Sequence, residues 1–172
     1  MAEHPSPEVA QLLALLDEAF EKASWHGPNL RGALRGVSAE EAAWRPAPGR
    51  HSIHELCVHA AYWKYAVRRR LTGERRGTFA ARGSNWFARP APDPVLWRAD
   101  LRRLSEEHKL LRAAVAALSP RDLARVPPGA RQGAGRLVRG SAAHDLYHAG
   151  QVQLLKRLQR GWRSQKERPR RK

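Results

Sequence analysis

The chain is almost devoid of isoleucine and threonine: Ile53 is the only isoleucine, and Thr72 and Thr78 are the only threonines. Strands favour such β-branched side chains, whereas the abundant Ala, Leu and Arg favour helices. The sequence therefore points to an all-α fold. At 172 residues, one domain with a single substantial core is expected.

Periodicity places the helices. Val9, Leu12, Leu13, Leu16, Phe20 and Ala23 recur at three- and four-residue steps and form one apolar stripe. Ser6 and Pro7 suit its N-cap and first turn. "HGPN" at His26 should kink or end this helix, and "LRGAL" should resume it for a turn or two. "SAEEAAW" at Ser38 and "HSIHEL" at His51 both carry the S-x-x-E form of a capping box. The first predicts a short helix over Ala39 to Trp44. The second opens a long helix ending near Thr72–Gly73, with Leu56, His59, Ala60, Trp63 and Val67 facing inward.

A third long helix starts at Asp93–Pro94, with Trp97, Leu101, Leu104, His108, Leu111, Val115 and Leu118 on its inward stripe. "SPRD" at Ser119 caps a short turn. The fourth long helix runs from about Leu137 to Leu158. Four amphipathic helices, each marginal alone, make a four-helix bundle over residues 1–158. The connection from Gly73 to Pro92 can span the bundle, which lets the second and third long helices run parallel. Trp86 and Phe87 lie within it and should fold back as a lid or anchor.

The formal charge is +16. Residues 159–172 hold seven basic side chains against the single acid Glu167 and read as a disordered basic tail. A solvated surface is the favoured reading of the charge; a nucleic-acid role for the tail is the alternative. No stretch of eighteen apolar residues exists to span a membrane, and the N-terminal apolar stretch carries acids and no basic leader. The single cysteine, Cys57, excludes an internal disulfide framework and fits a reducing, cytoplasmic setting.

Histidines stand on inward stripes where leucine is expected: His59 on the second long helix, His144 and His148 on the fourth. A buried imidazole without partners costs about 1–3 kcal/mol. A divalent metal would satisfy all three, since residues at i and i+4 lie about 5–6 Å apart on one helix face. Three protein ligands leave a position open, as in catalytic sites, and imidazole suits Zn, Ni, Fe or Co. Spacing alone leaves a second reading, a hydrogen-bonded pair of seam histidines. His108 reads as a core histidine, a fourth ligand or a site-lining acid/base. Trp63, Tyr147 and Gln151 are candidate pocket-lining residues. Glu55 shares a face with His59, but the capping box explains it. Asp145 reads as structural or as a support for its ligand neighbour. His54 is expected exposed in its first turn, His51 just before the cap, His4 and His26 in or near turns, and Cys57 as packing.

"WRPAPGRHSIHELCVHAAYW" from Trp44 and "HDLYHAGQVQLL" from His144, with "WHGPNL" at Trp25 and "AALSPRDL" at Ala116, resemble the DinB/YfiT-like family. The resemblance covers nearly the whole chain before the tail. It implies an up-down-down-up four-helix bundle and a metal triad of His59, His144 and His148. It also implies a homodimer and a metal-dependent enzyme acting on a small molecule. Relatives include S-transferases and an isomerase that use a low-molecular-weight thiol (bacillithiol, mycothiol or glutathione). A hydrolase activating water is a further possibility. The family name records induction by DNA damage, so the alternative is a stress-response protein with a structural metal and a nucleic-acid-binding tail.

Overall fold

Capping side chains start the helices where the sequence places them. The computed structural model describes residues 5–166. Ser6 accepts from the Val9 N–H and Pro7 fills the first turn of α1 (Pro7–Phe20). Asn29 caps α2 (Leu30–Leu34), and Ser38 with Glu41 forms a complete capping box on α3 (Ala39–Ala43). Ser52 and Glu55 do the same for α4 (Ile53–Thr72), which ends on Gly73 in the left-handed conformation (φ 77°) that glycine adopts without strain. The Asp93 side chain accepts from the Val95 and Leu96 N–H groups at α5 (Pro94–Ala116). Ser119 caps α6 (Pro120–Ala124), and α7 (Ala134–Lys166) closes the order. Among the described residues there are no strands, and the all-α expectation holds. No helix among them is long and apolar enough to cross a membrane.

The boundaries that differ most from the sequence reading are the end of α1 and both ends of α7, which starts at Ala134 rather than at about Leu137. α1 stops at Phe20, before the His26 turn rather than at it. The last helix continues past Leu158 to Lys166, with Gln159 buried and Trp162 near Trp44, ring centroids 6.4 Å apart. Residues 159–166 are therefore helix, not the start of a disordered tail. Arg, Lys and Gln are good helix formers, and the aromatic contact gives the extension something to pack against. Residues 167–172 of that tail, and His4, lie outside the described residues.

α4 packs most extensively along α5, and α7 packs against α1, α4 and α2. His54 meets Asp100 toward the start of both helices, and Lys64 and Arg68 meet His108 and Glu107 further along both, so the α4–α5 contacts advance in the same direction. The apolar core has two parts. One gathers Phe20, Leu30, Ile53, Leu56, Trp97, Leu104 and Val152; the other gathers Val9, Leu16, Val67, Leu111, Val115 and Val138. Between these sets fall Lys64 on α4, His108 on α5, and His144, Asp145 and His148 on α7, joined by Asp17 of α1 facing His108 and His59 of α4 beside His144. A polar storey thus divides the core, and the candidate site belongs to it.

His54 overturns its expectation. It is buried, and its Nε2 lies 2.8 Å from Asp100 Oδ2. Asp100 is itself fully buried on α5, where Arg89 and Arg103 also reach it. A buried carboxylate needs such partners, and the first turn of α4 faces it.

Candidate metal centre

His59 comes from α4, and His144 and His148 stand one turn apart on α7. His144 Nε2 lies 3.1 Å from His59 Nε2 and 3.0 Å from His148 Nε2. The ligand-type nitrogens of all three fall within 4.8 Å of one another. His59 and His148 are buried and His144 is partly so.

The outer nitrogens fix how the inner ones present themselves. His59 Nδ1 lies 2.8 Å from the Asn85 carbonyl oxygen, which can only accept, so Nδ1 carries the proton. His148 Nδ1 lies 2.6 Å from Gln151 Oε1 and donates in the same way. In neutral rings, both Nε2 atoms then turn bare lone pairs toward His144 Nε2. A proton on His144 satisfies one of them and leaves the other unpaired. Burial keeps the rings neutral: it holds His144 at about 3, helped by the neighbouring imidazoles and Lys64, and His148 at about 4. Burial also lowers His59, although its bond to Asn85 opposes this. Three converging neutral nitrogens, two oriented by outer acceptors, fit a divalent transition metal.

The connection after α4 builds the wall of the site. Asn85 sits at φ 64°, a left-handed conformation that asparagine tolerates. Its carbonyl orients His59 while its Oδ1 accepts from Trp63 Nε1 at 2.9 Å. Trp86 stacks between His51, 3.5 Å between centroids, and His59, 3.9 Å. Phe87 is buried against Tyr62 and Phe79, so both aromatics fold back onto the helices. A groove of about 520 Å³ opens beside His148 and Gln151, flanked by His51, Trp86 and Tyr147 and floored by Leu56, Leu154, Leu155 and Leu158. Tyr147 is largely exposed at its edge.

Glu55 stays out of the triad. Arg45 grips both its oxygens, at 2.7 and 2.6 Å, and His51 and the Ser52 and Arg89 N–H groups add to this. Burial pushes this carboxyl up, but those donors outweigh it and hold it at about 2. Glu55 therefore ties the turn before α4 to the segment before α5.

His108 does not join the triad either. It stacks on Phe20 with centroids 4.1 Å apart, its Nδ1 lies 3.4 Å from Lys64 Nζ, and its Nε2 faces Asp17 and Glu21 at 3.8 and 3.9 Å. Burial, then Lys64, holds it at about 3. The Asp17–Glu21–His108 group is close enough to ligate, but Arg112 and Lys22 already hold Asp17, and Arg31 holds Glu21. With three cations on two carboxylates, it is an ion-pair cluster, not a second metal centre.

Sequence reasoning missed two contributors, Asn85 and the lysine that pairs with Asp145. Asn85 acts through a backbone carbonyl, which no motif records. Lys64 and Asp145 form a salt bridge with both side chains 1% exposed, directly behind the triad. Lys64 did leave a signal: it falls four after Ala60 and three before Val67 on the inward stripe. Cys57 is fully buried, and burial raises its thiol, as befits packing.

All-helical architecture with a three-imidazole centre defines a helical protein equipped to hold a metal ion. The model of the DinB superfamily matches residues 22–152, and the chain belongs to that superfamily. The match contains all three histidines. No curated protein and no solved structure matches the chain.

Proposed function

We propose that the chain is a metal-dependent enzyme acting on a small molecule. His59, His144 and His148 would hold a divalent transition ion (Zn, Ni or Fe), with a low-molecular-weight thiol as a candidate cosubstrate. The observation that carries this reading is the convergence of three Nε2 atoms, two with their outer nitrogens already committed, beside an open groove. Structural metal sites are closed by four protein ligands, and no fourth His, Cys, Asp or Glu joins this group among the described residues. Bound there, the ion would supply Lewis acidity and favour the thiolate of a thiol, or the hydroxide of a water, near neutral pH.

The chain's own residues supply the rest. Asn85 and Gln151 hold two imidazoles as acceptors toward the centre. Trp86 covers one face of His59 and excludes water from it. The leucine floor of the groove takes an apolar portion of the substrate, and Arg50 at its rim offers charge to an anionic end. S-transfer to an apolar electrophile is the favoured reaction and hydrolysis the alternative. The contacts of α4 and α5, advancing in the same direction, support the up-down-down-up bundle as the arrangement of the four long helices.

The test is metal content of tag-free protein by plasma mass spectrometry, beside His59→Ala and His148→Ala. Near-stoichiometric Zn, Ni or Fe in the parent, lost from both variants, is expected. Thiol consumption with model electrophiles should then follow metal content. A parent that is metal-free and takes up no added divalent ion overturns the reading.

A further inference from the structure

Trp63 and Asn85, which bond to each other beside the triad, also line a second cavity, of about 540 Å³. Its walls carry four guanidinium groups and no carboxylate. Arg69 and Arg70 come from the last turn of α4, and Arg76 and Arg82 from the segment that follows. Trp63 and Tyr65 line it between them. The Tyr65 hydroxyl accepts from the Gly77 and Thr78 N–H groups at 3.1 and 3.3 Å, which pins that segment over the cavity.

Neighbouring acids do not neutralise this cluster. Glu74 and Glu107 are both taken by Arg68, which points elsewhere. Arg69 reaches only the Glu74 carbonyl, at 3.5 Å, and Arg70 the Ala66 carbonyl, at 3.3 Å. Among the described residues, none of the four cavity arginines forms an ion pair. Arg69 and Arg70 complement the carbonyl end of α4. Arg76 and Arg82 have no such role. Like charges gathered around a concavity repel one another and focus a positive potential into it, and a bound anion relieves both.

We propose that this cavity is a binding site for a small polyanion, a molecule bearing two or more phosphate or carboxylate charges. Its volume matches small-molecule sites, and guanidinium forks bind both groups in bidentate fashion. Trp63 and the two tyrosines of the wall, Tyr62 and Tyr65, offer flat surface for the uncharged part of the ligand. The site requires no ion at the histidine triad.

Calorimetric titration of the full chain with inorganic pyrophosphate and with citrate tests this. Binding of either is expected, and the tighter one assigns phosphate or carboxylate as the preferred charge. Arg76→Gln/Arg82→Gln, at exposed positions without ion pairs, should weaken binding at least about tenfold. Ala80→Glu, which sets a carboxylate on the cavity wall, should do the same. Arg98→Gln/Arg102→Gln removes equal charge from an exposed part of α5 and should leave binding intact. His148→Ala should also retain it, which separates binding at this cavity from chelation of an ion at the triad by either anion. The proposal is overturned if neither anion binds the parent, if the α5 pair loses as much as the cavity pair, or if His148→Ala abolishes binding.

Discussion

Replacing Lys64 with methionine isolates the energetics of the polar storey. Methionine keeps the apolar stem of lysine and deletes only the charge, leaving Asp145 buried with no cation. Lys64 and Asp145 are both 1% exposed, and Asp145 Oδ1 has no hydrogen-bond partner even in the parent. Breaking a buried pair from one side typically costs about 3–5 kcal/mol. For a chain of this size that lowers the melting temperature by roughly 10 °C. Removing both charges in Lys64→Met/Asp145→Leu should recover most of the loss, because a well-packed apolar pair needs no solvation. Burial raises the Asp145 carboxyl, although Lys64 opposes this, so its loss should raise the carboxyl further. A carboxyl raised in the folded state binds its proton there at pH values where the unfolded chain has lost it. Stability therefore falls as pH rises through that window, and the deficit of Lys64→Met should be smaller at pH 5 than at pH 8. Equilibrium urea unfolding by circular dichroism, with all variants stripped by a chelator, reads both effects. A single variant costing less than about 1 kcal/mol, or a double variant as unstable as the single, would refute the reasoning.

Three further outcomes are expected. Gln151→Leu removes the acceptor that orients His148 and should weaken metal binding about 10–100-fold in chelator competition, while Gln151→Glu retains it. Glu55 is held at about 2 against an ordinary 4.5, worth on the order of 3 kcal/mol of stability that is present above the higher value and lost as pH falls toward the lower. Glu55→Gln should accordingly show a flatter acid-unfolding profile between those values. Cys57, fully buried with its thiol raised, should resist a thiol reagent in the native protein at pH 8 and react at once in denaturant.

The triad was legible because its histidines interrupt stripes that are otherwise apolar, and a helix repeats such interruptions at readable spacing. Capping boxes at Ser38 and Ser52 were legible for the same local reason. The rest depends on pairs distant in sequence. His54 reads as a solvent-facing first-turn residue until Asp100 is placed opposite it. Asp100 also carried a signal, three after Trp97 and four before Leu104 on the inward stripe of α5. The partnership of Lys64 with Asp145, and the carbonyl of Asn85, require the helices and the connection to be docked first. The helical extension through Lys166 is hidden because a dense basic run without apolar periodicity reads as disorder, while Trp162 finds its contact at Trp44.

The wide separation of the three imidazoles along the chain has a consequence for synthesis. His59 emerges from the ribosome with α4, and its partners follow 85 and 89 positions later. A nascent or truncated chain lacking α7 owns one of the three nitrogens and cannot close the site around an ion. On the proposed metal-centre reading, metal retention would therefore be a readout of completed folding: an ion would be captured only after the last helix has docked.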